Sequence, residues 1–285
     1  MIDKKYTGNK KYQNSKVISV IIPTYNSERT LPLCLKAISC QTYKEIEVII
    51  VDSYSIDRTR DIAKSFGASV ILTNGKLLWA RYLGHINSKG EIELLLDSDQ
   101  VLELTTIERG VEMIINGGYD ALILEEKSYK PRSLLQWLFH ADRLHVHKIK
   151  DLHPLYGVLL ARMYKRSILD KAFEDIKRKL PKGIFMQVVS QDHAIIYYES
   201  WKYISKIGLL NDAMYHVEIE NLSQLIKKFY NYGRYERILF ASDYNKLLLC
   251  KHIPRKPFNP LNPVSYASLI LWFLKAVPYL IGTLV

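Results

Sequence analysis

A chain of 285 residues, 48% hydrophobic and with 20 tyrosines, can bury one large α/β core with a helical appendage or two smaller cores, which excludes a largely disordered protein. Forty Lys and Arg against 29 Asp and Glu give a formal charge of +11, so an anionic partner is implied: nucleic acid, an acidic membrane surface or a phosphorylated substrate. Cys34, Cys40 and Cys250 lack metal or redox spacing and point to a reducing compartment.

Residues 1–16 are polar and lysine-rich without an apolar stretch, and read as a flexible basic arm, not a signal peptide. VISVIIP (17–23) is apolar on both faces, as a central parallel strand requires. Leu31, Cys34, Leu35 and Ile38 then recur at helical spacing, with Ser27 or Thr30 placed to cap. IEVIIVD (46–52) is a second buried strand; Asp57 is placed to cap the next helix and Gly67 to end it. A strand at 70–73, a helix around 79–87, a strand at 92–96, a helix at 105–116 and a strand at 119–124 follow. This alternation predicts a Rossmann-like, doubly wound, mostly parallel sheet. Beyond residue 125 the periodicity loosens, and 132–175 reads as mostly helical.

Ligands of such sheets bind at the carboxyl ends of the strands. The residues there are Pro23 to Asn26, Asp52 and Ser53, Thr73 to Lys76, and Asp97-Ser98-Asp99, all polar beyond apolar strands. Two carboxylates at i and i+2 repel unless a cation or hydroxyl donors relieve them. A divalent metal shared with substrate phosphates does so, and Mg2+ or Mn2+ prefers such oxygen ligands. A solvated turn is the plain alternative.

Four stretches taken together resemble the nucleotide-binding half of family 2 glycosyltransferases, which have the GT-A fold. They are ISVIIPTYNSERTLPLCLKAISCQTY (18–43), IIVDSYSIDRT (49–59), NGKLLWARYLGHINSKGE (74–91) and LLLDSDQ (94–100). The resemblance implies that Pro23, Tyr25 and Glu28 line a nucleotide pocket to which Lys76 also belongs, and that Asp52 hydrogen-bonds the base. It implies that Arg81 faces the nucleotide or diphosphate, that Asp97 contacts ribose or metal-bound groups, and that Asp99 ligates the metal. Ser53 and Tyr54 depart from the family's usual acid and glycine. Further on, SQDHAII (190–196) is similar to the family's acidic pair before an apolar helix, with Gln191 in place of the first acid. Asp192 is then the implied base, and a helix cap is the alternative. MYHVEIENLSQLIKKFYNYGRY (214–235) resembles the family's closing stretch, which makes His216 a metal or phosphate contact. His140, His145, His147 and His153 fit no zinc spacing and are expected on a helix and loop near the acceptor.

The organisation expected is a basic arm (1–16), a nucleotide-sugar-binding half (17–125), an acceptor-binding half (126–220), and basic and apolar C-terminal helices (221–285). Lysines and arginines crowd 227–256, and 264–285 is apolar apart from Lys275 and the potential kink at Pro278. That pairing predicts an interfacial or re-entrant helix at the cytoplasmic face of the cell membrane. The resemblance implies an inverting, Mn2+- or Mg2+-dependent glycosyltransferase. It would move a sugar from a UDP- or GDP-sugar to a hydroxyl or phosphate of a glycan or polyprenyl-linked acceptor. Its partners would be the nucleotide-sugar, that acceptor and an anionic membrane surface, not nucleic acid. A non-catalytic GT-A-like binding protein or membrane adaptor is the rival. A sugar nucleotidyltransferase would need a glycine-rich phosphate loop after the first strand, and PTYNSERT has no glycine.

Overall fold

The computed structural model describes residues 17–147, 151–155, 159–251 and 258–285. The basic arm expected at 1–16, and Arg255 and Lys256 of the basic stretch, lie outside these residues.

β1 (Ile18–Thr24), β2 (Ile46–Asp52), β3 (Ser69–Leu72) and β4 (Ile92–Leu95) form a parallel array in the spatial order β3-β2-β1-β4. β1 is buried along its whole length, which suits its unbroken apolar run to the centre. The connecting helices are α1 (Leu31–Ser39), α2 (Thr59–Ser65) and α3 (Leu77–Ile86). Leu31, Cys34, Leu35 and Ile38 are the buried face of α1, as their spacing predicted. Its cap differs: Thr30 is the N-cap residue but its hydroxyl makes no capping bond, and Pro32 in the first turn supplies the preset φ instead. Asp57 does accept the Thr59 N–H (3.0 Å), and Gly67 leaves α2 at φ +75°.

The chain continues through β5 (Gln100–Leu102), α4 (Thr106–Ile115), β6 (Ala121–Ser128), α5 (Leu134–Val146), β7 (Ala161–Lys165), α6 (Arg166–Lys179), the short α7 (Lys182–Phe185) and α8 (Asp192–Ser200). Then come β8 (Ile207–His216), α9 (Leu222–Glu236), α10 (Asn245–Lys251) and α11 (Pro263–Leu284). One sheet of order β3-β2-β1-β4-β7-β6-β8-β5 joins both halves. The division expected near residue 125 therefore falls inside β6. The helical reading of 132–175 also needs correction, because β7 lies within it, antiparallel to both β4 and β6. β7 is only five residues long and passes into α6 without a loop, so no turn signal marks it.

Core side chains cover both faces of the sheet. Ile22, Leu35, Leu94 and Ile107 pack on one face; Ile21, Leu95, Phe173 and Ile195 pack on the other. Gly84 is what brings α3 down onto β1: a Cβ there would stand 2.2 Å from Ile21 Cγ2. One turn earlier on the same helix, Arg81 is thereby driven under the carboxyl ends of β1 and β4. α11 lies against α9 and α5 over a small apolar cluster of Phe139, Leu225 and Leu271.

Candidate active site

The loops after β1 and β2 are tied to each other before any ligand is considered. Asn26 and Tyr54 both take positive φ (49° and 56°). The Asn26 N–H donates to Ser55 Oγ (2.8 Å) and Asn26 Oδ1 accepts from the Ile56 N–H (2.9 Å). Asp52 sits beneath them, fully buried, accepting from Thr24 Oγ1 (2.8 Å), the Ser55 N–H (2.9 Å) and Ser55 Oγ (2.5 Å). Asp52, expected to meet a base, therefore holds the double loop together in this structure. Glu28 is exposed and accepts the Arg58 N–H (3.0 Å), a further cross-link between the loops. Lys76 is the exposed N-cap residue of α3, and its N–H donates to Met186 O (2.7 Å).

The centre of the site is Arg81. Its side chain is 0% exposed, and all five N–H donors are engaged within the protein. Nε donates to Asp192 Oδ2 (3.0 Å), Nη1 to Leu96 O (2.7 Å) and Ile21 O (3.3 Å), and Nη2 to Asp97 Oδ1 and to His193 Nε2 (2.6 Å). This corrects the expectation that Arg81 faces the nucleotide or diphosphate: no donor is left for one. It is instead a brace that fixes Asp97 and Asp192, which come from opposite halves of the chain, relative to each other. Asp192 begins α8 but does not cap it; its Oδ1 accepts no hydrogen bond from the described residues.

Arg162, on β7, is the cation that sequence reasoning missed. It donates to Asp97 Oδ2 (2.9 Å) and to His193 Nε2. Burial alone would raise the Asp97 carboxyl; Arg162, Arg81 and His193 outweigh it and hold it well below the usual range. Burial and the two arginines lower His193 to about 4. With two guanidinium groups donating to Nε2, the neutral ring carries its proton on Nδ1.

Asp99 has different neighbours. Its Oδ2 is 3.4 Å from His216 Nε2 at the end of β8, and its Oδ1 is buried with no hydrogen-bond partner among the described residues. Behind His216 stand Glu218 (Oε2 to Nδ1, 3.4 Å), then Arg143, which is paired with both Glu218 and Glu126. Gln100 closes the chain back to the Asp-Ser-Asp turn: Oε1 accepts the Asp97 N–H (2.8 Å) and Nε2 donates to Glu126 Oε1 (2.6 Å). Burial opposes protonation of His216, but Asp99 and Glu218 prevail and raise its pKa. Among the described residues, no group of three or more His, Cys, Asp or Glu forms a metal cage. An orphaned carboxylate oxygen beside a histidine still fits a divalent ion that takes its other ligands from a diphosphate and water.

These groups open onto a cavity of about 820 Å3. Of the expected residues, Pro23, Tyr25, Asp97, Asp99, Asp192 and His216 line it; Glu28, Asp52, Lys76 and Arg81 do not. Arg162, His193, Lys228 and Tyr232 line it unforeseen. The Lys228 pKa is raised despite its burial, with Tyr232, whose ring centre lies 5.8 Å from the ammonium, as the first influence and the Asp99, Asp97 and Glu218 carboxylates after it. Of the four clustered histidines, His145 lines the cavity; His147 accepts the Glu126 N–H (3.1 Å), and His153 packs on Trp201.

The parallel array with its loop-borne carboxylates, continued by an antiparallel strand into a second half that supplies another, is a GT-A architecture. Residues 19–173, more than half of the chain, match the profile of glycosyl transferase family 2, and the chain belongs to that family. It is 37% identical to the glycosyltransferase AglE of Haloferax volcanii over 114 residues, which are 36% of this chain and 37% of that protein. An uncharacterized glycosyltransferase of Rickettsia typhi is 26% identical over 92% of this chain and 76% of its own length. The poly(ribitol-phosphate) β-N-acetylglucosaminyltransferase TarS of Staphylococcus aureus is 23% identical over 70% of this chain and 35% of its own. The chain thus spans little more than a third of AglE and of TarS. Among solved structures, TarS residues 1–349 with UDP-GlcNAc superposes with a TM-score of 0.57 at 20% identity, over 83% of this chain and 70% of that one. Glucosyl-3-phosphoglycerate synthase of Mycobacterium tuberculosis, with Mn2+, UDP-glucose and phosphoglyceric acid, gives 0.54 at 19% identity over 81% and 80%.

Proposed function

We propose that the chain is an inverting, metal-dependent glycosyltransferase. It moves a sugar from a UDP- or GDP-sugar to a hydroxyl or phosphate of a glycan or polyprenyl-linked acceptor at the cytoplasmic membrane face. The observation that carries this reading is the Arg81 brace, which sets a donor-side carboxylate, Asp97, and an acceptor-side carboxylate, Asp192, on the wall of one cavity. Pro23 and Tyr25 lie on the nucleotide side of that cavity. Asp192 takes the proton from the acceptor as it attacks the anomeric carbon, and the single displacement inverts that centre. Its free Oδ1 is the oxygen available for this. Lys228 and Arg162 place positive charge beside the departing diphosphate. Asp99 and His216 would hold Mn2+ or Mg2+, which supplies charge neutralisation on the diphosphate when bound. The Mn2+ complex of the M. tuberculosis synthase supports that choice of ion.

The membrane part of the reading rests on α11. It is long and apolar enough to cross a membrane by length and composition, yet 28% of its most apolar window is buried in the protein. Lys275 turns inward, to Asp142 (3.8 Å) and the Phe139 ring (4.5 Å), while Ile270, Phe273, Val277, Leu280, Ile281 and Leu284 face outward. Covering a half-exposed large apolar side chain is worth on the order of 1 kcal/mol, so this face gains more from a bilayer than from water. An interfacial helix fits best, with Lys227, Arg234 and Arg237 of the preceding segment toward anionic headgroups. Leu269 and Trp272 of the same helix line the cavity, which suits an acceptor carrying a lipid.

The test is a panel of UDP- and GDP-sugars assayed for Mn2+-dependent thermal stabilisation and donor hydrolysis. Stabilisation by one nucleotide class with Mn2+, lost with EDTA, is expected. No stabilisation by any of them overturns the reading.

A further inference from the structure

Glu236 ends α9 and is 1% exposed, far from the reacting groups in sequence but next to them in the fold. Its Oε1 accepts from Gln191 Nε2 (3.0 Å), and its Oε2 accepts from the Tyr279 hydroxyl of α11 (2.6 Å). Gln191 is the residue before Asp192 and the N-cap of α8, and its carbonyl accepts the Ile195 N–H (2.8 Å). No side chain among the described residues caps α8, so the grip on Gln191 is a second hold on the turn that carries Asp192, beside the Arg81 bond to the carboxylate itself. Tyr279 is itself fixed by a close crossing of α9 and α11. A Cβ on Gly233 would stand 2.0 Å from Tyr279 O, and one on Gly282 would stand 2.1 Å from Tyr230 O. The two backbones touch there, so Tyr279 cannot slide along α9 unless the helices part.

We propose that Glu236 is a positioning residue for Asp192, and that through Tyr279 it makes the seating of α11 a condition for an ordered base. This rests on the reading of Asp192 as base. α11 has an outward apolar face and, through Tyr279 and Glu236, an inward link to the turn that carries Asp192, so whatever covers the outer face steadies the inner one.

The experiment compares the full chain with Tyr279→Phe, Glu236→Gln and Glu236→Ala. Amide hydrogen exchange is followed at the first turn of α8, and kcat and KM are measured for Mn2+-dependent hydrolysis of UDP-glucose and UDP-N-acetylglucosamine. Tyr279→Phe should speed exchange at residues 193–196 several-fold and lower kcat about 3- to 10-fold with KM unchanged, the scale of one lost hydrogen bond. Glu236→Ala should do more of both, whereas Glu236→Gln, which keeps an acceptor for Gln191, should stay near wild type. Unchanged exchange at α8 in both Tyr279→Phe and Glu236→Ala overturns the proposal whatever the kinetics show. If wild type hydrolyses neither nucleotide-sugar, the functional reading has failed for those donors and the exchange measurement still decides this one.

Discussion

Arg81 and Asp192 lie 111 positions apart in sequence and 3.0 Å apart in space, Nε to Oδ2. The same guanidinium holds Asp97, so its removal would leave the buried Asp192 without its cation and Asp97 with Arg162 alone. Arg81→Ala should destabilise the fold by about 3–5 kcal/mol in chemical denaturation. Arg81→Lys keeps a charge but lacks the planar fork and cannot serve five acceptors. It should retain most of the stability and lose most of the turnover. Wild-type turnover by Arg81→Lys would remove the brace from the mechanism.

Asp99 is separable from that brace, since its contact is His216 and not Arg81. Asp99→Ala should therefore fold normally and lose metal-dependent nucleotide binding, with turnover down about 100-fold or more. Calorimetry with UDP and GDP, each with Mn2+ and with EDTA, checks this. Equal affinity under both conditions contradicts the metal assignment.

Asp192→Asn keeps the shape of the side chain and an acceptor oxygen for Arg81, but an amide cannot take a proton. Donor affinity should be unchanged while transfer falls by about 10²- to 10⁴-fold. Transfer near the wild-type rate, with a verified acceptor, would exclude Asp192 as base.

His193 gives a stability signature that needs no substrate. Its pKa is lowered from 6.5 to about 4 in the folded chain, first by burial and then by Arg162 and Arg81. Between those values the unfolded chain binds the extra proton, so this contribution is complete above pH 6.5 and is lost as pH falls toward 4. The loss amounts to roughly 3 kcal/mol at most. His193→Gln should flatten the dependence of unfolding free energy on pH across that window. An equally steep profile in the variant would place the pH sensitivity elsewhere.

The parallel half of this fold was legible because its signals are local. β1 and β2 are unbroken apolar runs, α1 repeats at 3.6, and the polar clusters fall where such strands end. The antiparallel half was not: β5 has three residues, β7 has five, and both are stabilised by partners far away in sequence. The site divides along the same line. Asp97, Asp99 and Asp192 stood out as carboxylates after or before apolar runs, and all three line the cavity. Arg162 carried no signal and Lys228 was read only as part of the basic stretch 227–256, since a cation on a short strand or an amphipathic helix is ordinary until the partner carboxylates are seen. Arg81 stood out only through the resemblance of residues 74–91, which turned it toward the nucleotide or diphosphate and not toward Asp97 and Asp192. Its burial follows from the Gly84 contact with Ile21, which no local pattern reveals.

The placement of α11 makes the membrane reading testable without truncation, which would bare the Phe139, Leu225 and Leu271 cluster and confound the result. Ile270, Phe273 and Leu280 all face outward, each about half exposed, so changing them to serine should leave packing on α9 and α5 intact. In liposome flotation, wild type should rise with anionic vesicles more than with neutral ones, and less at high salt, because exposed basic side chains act within a Debye length. Ile270→Ser, Phe273→Ser and Leu280→Ser together remove on the order of 3 kcal/mol of transferable apolar surface, which is over 100-fold in partitioning. The triple variant should stay at the bottom of the gradient with an unchanged melting temperature. Flotation equal to wild type would show that α11 is not the membrane contact. Failure of wild type to float at low salt would refute attachment altogether and leave α11 as a packing surface for another protein.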